Sequence, residues 1–113
     1  MKYTQEINNK VLKLHFEGDL IGENNGPEVV ELANDAIANG VTHCMLNISD
    51  VRYINSSGIG VLITLLTKFR NKTGDLYIIK PSDHVNKLLI MTKLQAIFNI
   101  AESEEEALQK IKK

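Results

Sequence analysis

Val51-Arg52-Tyr53-Ile54-Asn55-Ser56-Ser57-Gly58-Ile59-Gly60-Val61-Leu62 is the stretch on which the fold turns. An apolar strand gives way to Asn-Ser-Ser-Gly, and an amphipathic helix then begins. Asparagine and serine are N-cap residues: their side-chain oxygens accept hydrogen bonds from the N–H groups that a helix's first turn leaves without an internal partner. The same place lies at the positive end of the helix dipole, where an anion or a phosphate is also tolerated. Capping, anion binding and phosphate carriage are the three roles open to these hydroxyls.

Downstream, Ile59, Leu62, Ile63, Leu66 and Phe69 recur at helical spacing and predict one core-facing stripe. Lys68, Arg70 and Lys72 suit the negative end of that helix, and Gly74 closes it. Upstream, Thr42 to Ile48 is apolar on both faces and predicts a central strand. Before it, Gly22 to Gly26 reads as a loop and Pro27 as the first turn of a helix through Val29, Val30, Leu32, Ala33, Ala36 and Ile37. Asn39-Gly40 is its left-handed stop.

At the N-terminus, Tyr3 to Ile7 and Val11 to Phe16 alternate with period two around the turn pair Asn8-Asn9, which predicts a β-hairpin. Toward the C-terminus, Leu76 to Ile79 is a strand stopped by Pro81. Ser82 is positioned to cap a short helix through Val85, Leu88, Leu89 and Met91. Ala96 to Ile100 predicts a last strand. Ser103 with Glu106 forms a capping box for the final helix. The order β-β-α-β-α-β-α-β-α implies an α/β fold: a mixed sheet of about five strands, with an N-terminal hairpin and helices between parallel neighbours.

The 113 residues suit one domain, and 43% hydrophobic residues are enough for a core without disulfide or metal support. A net charge of −1 lacks the basic excess of a nucleic-acid binder, so no direct nucleic acid is expected. Cys44 is the one cysteine, and no secretory signal pattern stands at the start; both favour a cytoplasmic setting. No apolar run approaches the roughly 18 residues of a membrane span.

Few groups converge for catalysis. The pattern Gly-x-Ser-x-Gly fails at Ile54, two residues before Ser56, and none of His15, His43 and His84 belongs to a triad signature. Gly58-Ile59-Gly60 lacks the Lys-Ser/Thr ending of a phosphate loop, and Ile63 stands where a dinucleotide fingerprint needs glycine. These glycines are expected to allow close helix–sheet packing. Cys44 reads as a small core hydrophobe, and the spacing of histidine and thiol predicts no metal site and no cofactor. A hydrolase reading therefore lacks both a base and an oxyanion motif, and a binding protein is expected.

Four ordered motifs resemble those of STAS domains, and within that family the bacterial anti-sigma factor antagonists. They are Phe16-Glu17-Gly18-Asp19-Leu20; Leu46 to Leu62 around the serine loop; Leu88-Leu89-Ile90-Met91-Thr92-Lys93-Leu94; and Phe98-Asn99-Ile100 with Glu102 to Leu108. The resemblance covers essentially the whole chain, 1–113, as one domain. It implies the STAS (SpoIIAA-like) fold, with about four helices packed mainly on one side of the sheet. It also implies partner switching. The family's antagonists bind an anti-sigma factor serine kinase of the histidine-kinase-like ATPase type and free a sigma factor. That kinase inactivates them by phosphorylating the first serine of the loop, and a cognate phosphatase resets them. The matching phosphoacceptor here is Ser56. Asp19, Leu20, Asn55, Ser56, Ser57, Gly58 and Ile59 match the partner-binding region.

Two positions depart from the family pattern. Most antagonists carry aspartate where this chain has Asn55, which caps equally well but removes a charge beside Ser56. Lys93 stands where glycine is usual, which points either to a turn without positive φ or to a strained one. The alternative reading is a STAS interaction subunit of a transporter or signalling assembly that is never phosphorylated.

Overall fold

In the computed structural model, which describes residues 2–111, the chain opens as the expected hairpin. β1 (Lys2–Asn8) and β2 (Val11–Leu20) pair antiparallel with Asn8 opposite Val11. The turn residues are Asn9 and Lys10, at φ 52° and 66°, one position later than the Asn8-Asn9 pair predicts. Two successive positive φ angles define the type I′ turn, whose twist matches that of the flanking strands.

α1 (Gly22–Ala38) begins five residues before Pro27, so the expected loop at Gly22 to Gly26 is helical and Pro27 lies inside the helix. Tertiary packing explains the extension. A Cβ on Gly26 would come within 2.8 Å of Val61 Cγ2, so this early turn rests directly on the neighbouring helix. β3 (His43–Ile54) is longer than the Thr42 to Ile48 segment read from hydropathy. It keeps pace with β2 as far as Leu20 opposite Ile54 by means of two register shifts.

α2 (Ser56–Arg70) follows after Asn55 alone. Then come β4 (Asp75–Ile79), α3 (Asp83–Met91), a single 3₁₀ turn (Leu94–Ala96), β5 (Asn99–Ala101) and α4 (Glu104–Ile111). The last strand is shorter and later than Ala96 to Ile100. Ala96 is drawn into the 3₁₀ turn, where Ile97 and Phe98 both donate to the Leu94 carbonyl. Ser82 occupies the N-cap position of α3 without capping it; its hydroxyl donates to the Val51 carbonyl at 2.7 Å and ties α3 to β3. The Ser103 cap forms as expected, with Glu106 N–H donating to Ser103 Oγ at 3.1 Å.

The sheet runs β1-β2-β3-β4-β5 in sequence order, parallel from β2 onward. Three right-handed crossovers stepping the same way place their helices on the same face. That face carries the main core: Leu12, Leu14 and Phe16 of β2, Cys44, Leu46 and Ile48 of β3, Val29 and Ala33 of α1, Leu62, Leu65, Leu66 and Phe69 of α2, and Val85 and Leu89 of α3. Of the predicted α2 stripe, Leu62, Leu66 and Phe69 are buried and Ile59 and Ile63 half-buried, while Val61 and Leu65 widen the buried face. α4 alone lies on the opposite face, where Ala107 covers Val11, Met45, Ile79 and Ala101. Helices mainly on one side of a five-stranded mixed sheet is the predicted architecture. Among the described residues no helix is long and apolar enough to cross a membrane.

Candidate functional site

The serine loop is built at the C-terminal edge of the sheet, where β3 passes into α2. Asn55 is the N-cap, in extended backbone at φ −95° and ψ 178°. Its Oδ1 accepts the Gly58 N–H at 2.7 Å and the Ser57 hydroxyl at 3.1 Å. Its carbonyl takes the first helical bond from Ile59 N–H at 3.0 Å, and its own N–H donates to the Leu20 carbonyl at 3.3 Å. One asparagine therefore locks the start of α2 to the end of β2.

Gly58 completes the lock. It is buried, and a Cβ there would stand 2.5 Å from the Leu20 carbonyl oxygen and 2.9 Å from Ile54 Cγ1. Real Cβ atoms do not approach a carbonyl so closely, so the backbone contact requires glycine. Gly60 differs. It is exposed, a Cβ there would meet nothing within 4 Å, and the expectation of close packing holds only for Gly58.

Ser56 is the first residue of α2, and its side chain is exposed. The capping oxygen is that of Asn55, not that of Ser56. The first turn of α2 contains no acidic residue, which leaves the positive end of the dipole without a neutralising carboxylate. Ser57 is exposed and Ile59 half-buried. Leu20 is wholly buried, so it meets the surface from beneath, through its carbonyl, and its side chain is unavailable to a partner.

Asp19 is half-exposed and receives both contacts of Arg52, whose Nη2 lies 3.2 Å from each carboxylate oxygen. Tyr53 is 48% exposed and stacks on His84, with ring centroids 6.4 Å apart and planes 30° apart. Arg52, Tyr53 and His84 therefore join this end of the sheet; none is among the expected partner-binding residues, although Arg52 and Tyr53 lie within the Leu46 to Leu62 segment. The register shift between Gly18 and Asp19 changes which strand residues face outward, and simple alternation cannot anticipate it.

The histidines are dispersed: His15 contacts Asp50, His43 contacts Thr42, and His84 stacks on Tyr53. None of these contacts reaches Ser56. Burial holds the His43 ring below its usual pKa, partly opposed by Asp75, and pushes the Cys44 thiol far above its ordinary range. Neither is a general base or nucleophile serving the loop.

Residues 2–107 match the STAS domain family model. The chain belongs to the STAS family. This STAS domain is 27% identical over 79 residues to the anti-sigma-B factor antagonist of Staphylococcus aureus, an alignment covering 70% of this chain and 73% of that one. In structure it is similar to a candidate anti-sigma factor antagonist from Thermotoga maritima, with a TM-score of 0.88 at 24% identity over 98% of this chain and 95% of that one. The anti-sigma factor antagonist SpoIIAA in its unphosphorylated form gives a TM-score of 0.78 at 19% identity, covering 98% of both chains. Its phosphorylated form, from Bacillus, gives 0.76 at 20% over 97% of this chain and 99% of that one. These relatives and structural neighbours are named anti-sigma factor antagonists, which are regulatory binding proteins rather than enzymes.

Proposed function

We propose that this STAS domain is a partner-switching antagonist of the cytoplasm. Unmodified, it binds an anti-sigma factor serine kinase of the histidine-kinase-like ATPase type, and a sigma factor is released. Phosphorylation of Ser56 ends that binding, and a phosphatase restores it. The observation that carries the reading is the division of labour in the loop: Asn55 caps α2, and Ser56 stands exposed at its first position. The S. aureus relative named as an anti-sigma-B factor antagonist, and the phosphorylated form known for SpoIIAA, support it.

The electrostatics are consistent with a reversible switch. A phosphate adds about −1.5 to −2 charges at neutral pH. On Ser56 that charge meets the positive end of α2, so the fold tolerates it. A partner packed on Asp19, Asn55, Ser57, Gly58 and Ile59 would have to bury the same charge, which is costly without a cationic counterpart. Binding is lost while the domain stays folded.

Incubation with the anti-sigma kinase encoded in the same genome and ATP, followed by mass-spectrometric mapping, tests the assignment. Phosphate on Ser56, absent from Ser56→Ala, is the expected result. Phosphate confined to another residue, or no complex with unmodified protein, overturns it. The alternative, a constitutive interaction subunit, is favoured by Asn55 in place of aspartate. It predicts that Ser56→Ala and Ser56→Asp bind the native partner equally.

A further inference from the structure

The sheet face that carries α4 holds a second constellation, away from the serine loop. His15 and Glu17 are two apart on β2 and share one side of the strand. Asp50 of β3 joins them only because of a bulge. His15 lies opposite Asn47, whereas Glu17 lies opposite Asp50, so β3 carries one extra residue over this interval. Before the shift, Cys44, Leu46 and Ile48 point into the main core; after it, Val51 does. The extra residue reverses the parity of β3 and turns Asp50 outward beside His15.

One ligating atom from each of His15, Glu17 and Asp50 lies within 4.8 Å of the others, and His15 Nε2 is 2.8 Å from Asp50 Oδ2. Lys13 pairs with Glu6 at 3.6 Å and Arg52 with Asp19, while Lys2 of β1 stands opposite Glu17 across the hairpin. Among the described residues no lysine or arginine forms an ion pair with Glu17 or Asp50. Two carboxylates thus converge on one imidazole, and Lys2, the cation opposite Glu17, is not bound to either of them.

We propose that His15, Glu17 and Asp50 form a surface site for a divalent transition metal, with Zn²⁺ the ion that fits the donors. One imidazole nitrogen and two carboxylate oxygens are borderline donors suited to zinc. Calcium and magnesium favour all-oxygen sets of six or more ligands. Ligand distances of about 2.0–2.2 Å place tetrahedral donors about 3.3–3.6 Å apart, within reach of small side-chain rotations here. With Nε2 as ligand, Nδ1 keeps the ring proton. Water completes the coordination. The ion would clamp β2 to β3 at the bulge, five residues before the Asn55 cap.

Calorimetric titration of tag-free protein with ZnCl₂, together with amide chemical-shift mapping, tests the site. The expected result is one zinc per chain with a dissociation constant below about 100 μM. Shifts should centre on residues 13–19 and 47–52. His15→Ala and Asp50→Asn should each weaken binding at least about tenfold, while His84→Ala leaves it unchanged. All three side chains are at the surface, and amide spectra of the variants should confirm the fold. Absence of saturable binding at millimolar zinc overturns the proposal, as does binding that persists in His15→Ala and disappears in His84→Ala.

Discussion

Asn55 shows how much one residue settles. It holds Gly58 N–H, Ser57 Oγ and the Leu20 carbonyl together, so it fixes both the start of α2 and the outward placement of Ser56. Asn55→Ala is expected to lower stability by about 1 kcal/mol in urea unfolding, the usual cost of a lost N-cap. Asn55→Asp keeps the acceptor and adds a charge favourable to the dipole, and should be at least as stable as the parent. Lys93 is the opposite case. Of the two readings its departure from glycine allows, the strained one holds: Lys93 sits in the left-handed region at φ 62° and ψ 15°, between α3 and the 3₁₀ turn. A side chain there costs about 1–2 kcal/mol. Lys93→Gly should therefore raise stability by about 1 kcal/mol, less the greater freedom of glycine in the unfolded chain.

At the scale of elements, α2 carries two glycines of opposite character. Gly58→Ala should destabilise by about 1–3 kcal/mol, because the new methyl meets the Leu20 carbonyl and Ile54. Gly60→Ala should stabilise by about 0.5–1 kcal/mol, because the position is open and helical. Equal and opposite shifts are not required, but a stable Gly58→Ala would contradict the contact described. The sequence Gly-Ile-Gly does not distinguish these positions; only the approach of β2 does. Element boundaries depart from the local pattern for similar reasons. α1 extends back through Gly26 because Val61 lies beside it, and β3 extends to Ile54 because β2 stays alongside. Local hydropathy contains neither neighbour. By contrast, the hairpin, the α2 stripe and the Ser103 cap depend on spacing within one segment, and those are legible in the sequence.

For the whole molecule, the element order follows from alternation of strand and helix; the in-order sheet is seen in the structure, and right-handed crossovers stepping one way along it produce the single-sided packing that the family resemblance implies. The serine loop is legible because strand, cap and helix are contiguous. Tyr53, His84 and Arg52 are not, since bulges and the docking of α3 bring them there. The Cys44 thiol reports on the molecule as a whole: it is fully buried between β2 and β4, and burial raises its pKa well above the usual thiol range. Its reaction with a thiol reagent should be negligible in native buffer and should follow global unfolding as denaturant is added; rapid labelling of the native protein would show the core opening locally. The proposed switch, too, belongs to this scale, because it requires binding to change while the fold does not. Its most direct measurement is the affinity of unmodified and Ser56-phosphorylated protein for the anti-sigma kinase, with circular dichroism recorded on both. Phosphorylation is expected to leave the fold unchanged and to lower affinity at least about tenfold, about 1.4 kcal/mol; equal affinity of the two folded forms would contradict the switch.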